Sequence, residues 1–209
     1  MKPVKWLFFD IGSTLVDETE ALAHRIRETV DGSDVSIASF TRTAEAHYAQ
    51  GHDGYKTALN EYHLPKAQWH SEDERPFDEA ASTLYALKAR GYRLGIIANQ
   101  LPGTDQRLRE WGLLPYFSVI AASAECGLSK PDSGIFLFAL QKAGCKPADA
   151  VMIGDRFDND LAPAKALRMQ TVRVLSGPFA AFSFHDGSID ATVPSLSALL
   201  DLFPPLSLS

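Results

Sequence analysis

The sequence predicts an α/β fold, a doubly wound parallel sheet interrupted near its start by a small α-helical insertion. Three observations carry this expectation. Short apolar runs bounded by turn residues recur along the chain and read as buried parallel strands. Helical patterns closed by Gly91, Gly112 and Gly144 separate those runs in the later part of the chain. Between residues 17 and 75 the alternation stops, and only helical patterns occur.

The first strand is the apolar run Val4-Lys5-Trp6-Leu7-Phe8-Phe9, which ends in Asp10 before Gly12 opens a turn. A helix is expected over 18–31, with Leu22, Ile26 and Val30 at four-residue spacing. Ser36 caps a second helix carrying Phe40, Ala44 and Tyr48 on one face, and a third covers 55–62. The polar, proline-bounded stretch LPKAQWHSEDERP leads back to the alternating pattern. Helices then follow at 77–90, 104–111 and 132–143, with strands at 92–98, 118–122 and 150–153. A helix near 160–167 starts close before Pro163, because proline is tolerated only in a first turn. Strands at 170–174 and 191–193 precede a last helix that Ser195 can cap. Residues 1–16 and 76–209 therefore read as one core, and 17–75 as an insertion into it.

Two strand ends carry the chemistry. Open α/β sheets bind ligands outside the carboxyl ends of their strands. Asp10 stands at one such end, and the run Ala150-Val151-Met152-Ile153 leads into Gly154-Asp155-Arg156-Phe157-Asp158-Asn159-Asp160 at another. Converging aspartates suit a hard cation such as Mg²⁺, which prefers oxygen ligands. Between them Ser129-Lys130-Pro131-Asp132 places a lysine in a proline-restrained loop. A carboxylate nucleophile, a carboxylate ligand and an ammonium group together make a phosphoryl-transfer constellation. Taken singly, Asp10 reads equally well as a turn cap; the GDRFDND run can also read as an acidic helix cap, a reading that its position directly after an apolar strand disfavours.

Four segments, FFDIGSTL, RLGIIANQ, LSKPDSGIF and VMIGDRFDND, occur in this order with the linking text GLLPYFSVIAASAECG between the second and third. They resemble the four motifs of the haloacid dehalogenase-like superfamily. The resemblance implies a Rossmann-like core, with the insertion as a cap that closes over the site and excludes water. It implies Asp10 as nucleophile and metal ligand, the Gly12 carbonyl and Asp155 as further ligands, and Asp160 as direct or water-mediated support. Lys130 would neutralise the phosphate, and Asn99 and Gln100 would contact it. The implied cofactor is Mg²⁺ and the implied substrate a small phosphorylated metabolite, handled by a monomer or homodimer.

The chain departs from the pattern twice. The phosphatases of the family carry a second aspartate two residues after the nucleophile, where this chain has Gly12, and a motif-two hydroxyl where it has Ala98. The first loss removes a general acid and base, typically ~10²–10⁴-fold in rate. From sequence alone, Gly12→Asp should restore it. Two alternatives stay open: a catalytically weakened member that binds a ligand or partner, and a 2-haloacid dehalogenase, against which the intact GDRFDND counts.

Composition narrows the rest. The 209 residues, 45% apolar and 22% charged, suit a soluble chain with a real core. A net charge of −6 without any Lys/Arg cluster argues against nucleic acid or an anionic membrane as partner. The N-terminal apolar run is too short for a signal peptide or a span, so a cytoplasmic address is expected. Cys126 and Cys145 lack zinc or disulfide spacing and read as reduced thiols. His24, His47, His52, His63, His70 and His185 show no ligand spacing and read as surface or capping residues. Phe179, Phe182 and Phe184 form an aromatic stretch that rims the site or packs on the core.

Overall fold

The computed structural model describes residues 4–183 and 187–206. Strand β1 (Trp6–Phe9) leads into the two-residue β2 (Val16–Asp17), then helices α1 (Thr19–Val30), α2 (Ile37–Tyr48) and α3 (Gly54–Tyr62), then β3 (Arg75–Pro76). After these come α4 (Ala80–Ala89), β4 (Arg93–Ala98), α5 (Thr104–Glu110), β5 (Phe117–Ala122), α6 (Ser123–Cys126) and α7 (Ser133–Ala143). The chain continues through β6 (Ala150–Gly154), α8 (Ala162–Ala166), β7 (Gln170–Val174), β8 (Ala191–Val193) and α9 (Leu199–Leu202).

Six strands form one sheet in the order β5-β4-β1-β6-β7-β8, and every pairing is parallel. Phe9 of β1 pairs with Ile96 on one side and Ile153 on the other. The strand order therefore reverses at β1, and the crevice at its carboxyl end is where such sheets bind ligands. Alternation along β1 explains the two cores. Leu7 and Phe9 face one layer with Leu84, Leu87, Leu108 and Leu199, while Trp6 and Phe8 face the other with Ile135, Phe136 and Ala139. This is the doubly wound α/β architecture that the apolar runs predict.

The helices between β2 and β3 have an apolar cluster of their own, built from Ile26, Val30, Phe40, Ala44, Tyr48, Tyr55, Ala58 and Leu59. Ser36 accepts a hydrogen bond from the Ser39 amide, as the sequence predicts for the cap of α2, and Asp53 caps α3 through Lys56. Phe179, from the loop after β7, joins this cluster and meets Tyr48 edge-on at 4.9 Å.

The structure departs from the sequence reading in three places. The helix expected over 77–90 starts only at Ala80, because Pro76 pairs with Val16 and the Phe77 amide donates to the Leu15 carbonyl. A two-residue antiparallel pair thus ties both ends of the helical segment together, too short to leave a periodic signal. The helix expected near 160–167 is present as α8, with Pro163 in its first turn, but a wide π turn at Phe157–Leu161 that the sequence does not announce leads into it. Helix α6 has only four residues and no periodicity to announce it. Cys126 and Cys145 are unpaired thiols. Among the described residues no helix is long and apolar enough to cross a membrane.

Candidate active site

The β1–β6 pairing continues one residue past the end of β1, where the Asp10 amide donates to the Ile153 carbonyl at 2.9 Å. That register sets Asp10 beside Gly154 and the turn that carries Asp155. Gly154 is required there: a Cβ on it would lie 2.4 Å from Asp160 Oδ2, so any side chain would displace the Asp160 carboxylate. The π turn then brings Asp160 back toward the strand end, fully buried, with the Arg156 amide donating to its Oδ2 at 3.1 Å.

Lys130 connects these acids. Its buried Nζ lies 2.8 Å from Asp10 Oδ1 and donates to Asp160 Oδ1 at 2.6 Å. Burial by itself would depress the lysine pKa, but the carboxylates of Asp10 and Asp160 outweigh it and hold the ammonium above its usual range. The lysine loop is held by Asn99, whose Oδ1 accepts from the Lys130 amide at 2.8 Å and whose Nδ2 donates to the Lys130 carbonyl at 2.9 Å. Asn99, expected to contact substrate, is therefore engaged as a clasp on the Lys130 backbone. Gln100 lines the cleft as well, where its side-chain carbonyl accepts from Arg107 and its backbone N–H donates to Ser123 Oγ. Ala98 is fully buried at the end of β4 and offers no hydroxyl to the cleft.

Ligand atoms of Asp10, Asp155 and Asp160 all lie within 4.8 Å of one another. Three buried carboxylates against one ammonium leave excess negative charge in a region of low dielectric. Asp155 shows the consequence. Burial, and then the charges of Asp160, Asp10 and Glu18, push its pKa well above the ordinary carboxylate range. Burial also raises Asp160, to about 6, against the opposing pull of Lys130. An all-oxygen donor set with unmatched negative charge fits a hard divalent cation. Both Asp160 oxygens already accept hydrogen bonds, which suits holding Lys130 more than direct ligation. Gly12 lines the same cleft.

Asp158 is exposed and accepts a forked pair of bonds from Arg156 at 3.0 and 2.7 Å, outside the acidic cluster. The Arg156 guanidinium also stacks over Phe179 at 4.9 Å and comes 3.8 Å from Asp53, linking this turn to the helical segment. The cleft above Asp10 has a volume of about 1450 Å³, and Leu22, Arg25, Tyr55, Lys56, Lys66 and Trp69 line it from the helical side.

One residue of this cleft escapes sequence reasoning. Glu18 precedes α1, where an acidic residue reads as an ordinary complement to the helix dipole. Its side chain makes no capping bond; the carboxyl turns inward and accepts from Ser13 Oγ at 2.9 Å. Burial of that carboxyl raises its pKa to about 8, and the Ser13 bond only partly offsets this. Two of the histidines, expected as separate surface or capping residues, come together. His24 and His70 stack at 3.9 Å with nearly parallel rings, and their nitrogens meet carboxylates of Glu28, Asp73 and Glu72. Ligand atoms of His24, Glu28 and His70 lie within 4.8 Å of one another. His63 ends α3 in the left-handed region, a capping position. Phe184 and His185 lie outside the described residues.

The raised carboxyls set a pH dependence in the metal-free protein. Unfolded carboxyls ionise near ~4, whereas folded Glu18, Asp155 and Asp160 hold their protons to higher pH. The native state then binds more protons over this window, so stability falls as pH rises from about 5 to about 8. His70, also raised, contributes with the same sign. Thermal unfolding in chelator should show the melting temperature dropping across this range; a rise would contradict the raised carboxyls.

Residues 4–168 match the family model described as haloacid dehalogenase-like hydrolase. The chain is 38% identical over 129 residues to the glyceraldehyde 3-phosphate phosphatase of Methanocaldococcus jannaschii, covering 61% of this chain and 56% of that protein. It is 26% identical over 225 aligned positions to the protein of the same description from Pyrococcus furiosus, covering 97% of this chain and 94% of the other. The chain thus spans about half the length of the former relative and nearly all of the latter. Among solved structures, a HAD phosphatase from Thermococcus onnurineus superposes with a TM-score of 0.69 at 21% identity, over 98% of this chain and 100% of that one.

Proposed function

Because this chain belongs to the haloacid dehalogenase-like hydrolase family, we propose that it is a Mg²⁺-dependent phosphatase of a small phosphorylated metabolite, acting through an aspartyl-phosphate on Asp10. The observation that carries this reading is the placement of Asp10 at the switch point of the sheet. There it faces a large cleft, 2.8 Å from a buried ammonium and beside two further buried carboxylates. Among known relatives, those named glyceraldehyde 3-phosphate phosphatase support a phosphorylated sugar as the substrate class.

In this reading Asp10 attacks phosphorus with one carboxylate oxygen. Lys130 is the fixed positive charge for the phosphoryl oxygens, already oriented by Asp160 and by the Asn99 clasp, so little reorganisation is needed as charge develops. Asp10, Asp155 and the Gly12 carbonyl would hold Mg²⁺, with Asp160 behind them. When bound, the ion neutralises charge on the transferred group. Residues 1–16 and 76–209 act as the core. Residues 17–75 act as a cap whose Arg25, Tyr55 and Trp69 meet the part of the substrate that does not react. Arg25 is presented over Tyr55 at 4.4 Å and over Trp69 at 5.5 Å.

The test is a panel of phosphorylated trioses, pentoses and hexoses, assayed with Mg²⁺ and with chelator. Phosphate release that stops in chelator and returns with Mg²⁺ is the expected result. Chelator-resistant turnover would sink the metal assignment. Metal-independent halide release from 2-haloacids would make the protein a dehalogenase. Inertness on both panels, with thermal stabilisation by one ligand, would make it a binding protein.

A further inference from the structure

The two-residue offset that usually carries the proton-transfer carboxyl is vacant in this chain, yet the space is not. A Cβ built on Gly12 would lie 2.4 Å from Glu18 Oε1 and 2.8 Å from both Glu18 Cδ and Oε2. The carboxyl of Glu18 thus stands where a side chain at residue 12 would begin. It lines the same cleft as Asp10 and is anchored by Ser13 Oγ at 2.9 Å. Among the described residues no lysine, arginine or histidine pairs with it. Although Glu18 stands at the N-cap of α1, its side chain caps no helix amide, and the Thr19 N–H donates to Asp17 Oδ1 at 2.9 Å. The carboxyl is therefore directed into the cleft and is not consumed in holding the helix.

Resting on the phosphatase reading above, we infer that Glu18 supplies the proton-transfer carboxyl that Gly12 lacks, as donor to the leaving oxygen and then as base toward water. In the first step Asp10 Oδ forms a bond to phosphorus and the bond from phosphorus to the leaving oxygen breaks. That oxygen takes the Glu18 proton and departs as an alcohol. In the second step the Glu18 carboxylate takes a proton from water as the water oxygen attacks phosphorus. The bond from phosphorus to Asp10 breaks, inorganic phosphate leaves, and both carboxyls return to their starting states. Gly12 is then not a defect: a larger residue would collide with the group that replaces its function. The expectation that Gly12→Asp restores an acid then carries a condition, because its side chain would displace the Glu18 carboxyl already there.

The test compares wild type, Glu18→Gln, Glu18→Ala, Gly12→Asp and the double variant Gly12→Asp/Glu18→Ala. Substrates are an aryl phosphate (p-nitrophenyl phosphate) and an alkyl phosphate (glycerol phosphate), each with Mg²⁺. Glu18→Gln should lose ~10²–10⁴-fold in kcat on the alkyl ester. On the aryl ester it should retain a rapid burst of nitrophenolate and accumulate phosphoenzyme, since that leaving group needs no proton. The double variant should regain at least about ten-fold of the alkyl activity lost in Glu18→Ala. Without metal, Gly12→Asp should lower the melting temperature when Glu18 is present but not when residue 18 is alanine. Equal slowing of both esters with no burst, or unchanged alkyl turnover in Glu18→Gln, would overturn the assignment. If wild type cleaves no phosphate monoester, the phosphatase reading falls and the proton-transfer role with it. The melting comparison still decides whether the Glu18 carboxyl occupies the Gly12 space.

Discussion

Asp10→Asn is expected to abolish phosphate release, on the order of 10⁴–10⁶-fold in kcat, a loss typical of removing an enzyme nucleophile. The change keeps side-chain volume and one carbonyl oxygen, so the 2.8 Å contact with Lys130 Nζ can persist. It also removes one negative charge from a cluster of three buried carboxylates, and the fold should therefore tolerate it. The measurements are phosphate release, acid-quench trapping of a phosphoenzyme, and thermal unfolding. A folded variant that forms no trapped phosphoenzyme supports Asp10 as the nucleophile. Turnover within about ten-fold of wild type would remove it from that role.

Lys130→Met should damage stability and activity together. The lysine is the cation shared by Asp10 and Asp160, and all three groups are buried. Breaking a buried charge pair from one side typically costs about 3–5 kcal/mol, against ~0.2–1 kcal/mol for an exposed pair. The variant leaves three mutually repelling carboxylates without an ammonium, so denaturant unfolding in chelator at neutral pH should show a loss at the upper end. Lowering the pH should recover much of it, since protonation of Asp155 and Asp160 relieves the repulsion; Mg²⁺ should act likewise. Activity should fall on the order of 10²–10³-fold, as for loss of one group that stabilises transition-state charge. A stability loss under about 1 kcal/mol would mean that the pair behaves as an exposed one.

Much of the fold was legible because its signals are local. The run ending in Phe9 and the run 150–153 are apolar enough to read as buried strands, and they became neighbours in the sheet. Ser36 and the spacing of Phe40, Ala44 and Tyr48 marked α2 and its buried face. Short elements were not legible. Strands β2 and β3 have two residues each, and the π turn after β6 interrupts helical periodicity. The first is a pairing across some sixty residues, and the second adds to its local bonds the distant Lys130 that holds Asp160.

The same division runs through the site. Residue order placed Asp10 and the run that begins with Asp155 at strand ends, because the α/β pattern sets those ends along one edge, and the motif resemblance added Lys130 and Asp160 from the loops between. It also marked Gly12 and Ala98 as departures from the resembling motifs. Only the tertiary structure decided what those residues touch: Asn99 clasps the Lys130 backbone, and Asp160 holds the lysine ammonium. It alone brought the Glu18 carboxyl into the space beside Gly12. Sequence pattern reports which face or end a residue occupies, through periodicity and turn chemistry. Where a flexible side chain comes to rest depends on the volume and charge left by residues far along the chain, and that is settled only when the elements pack.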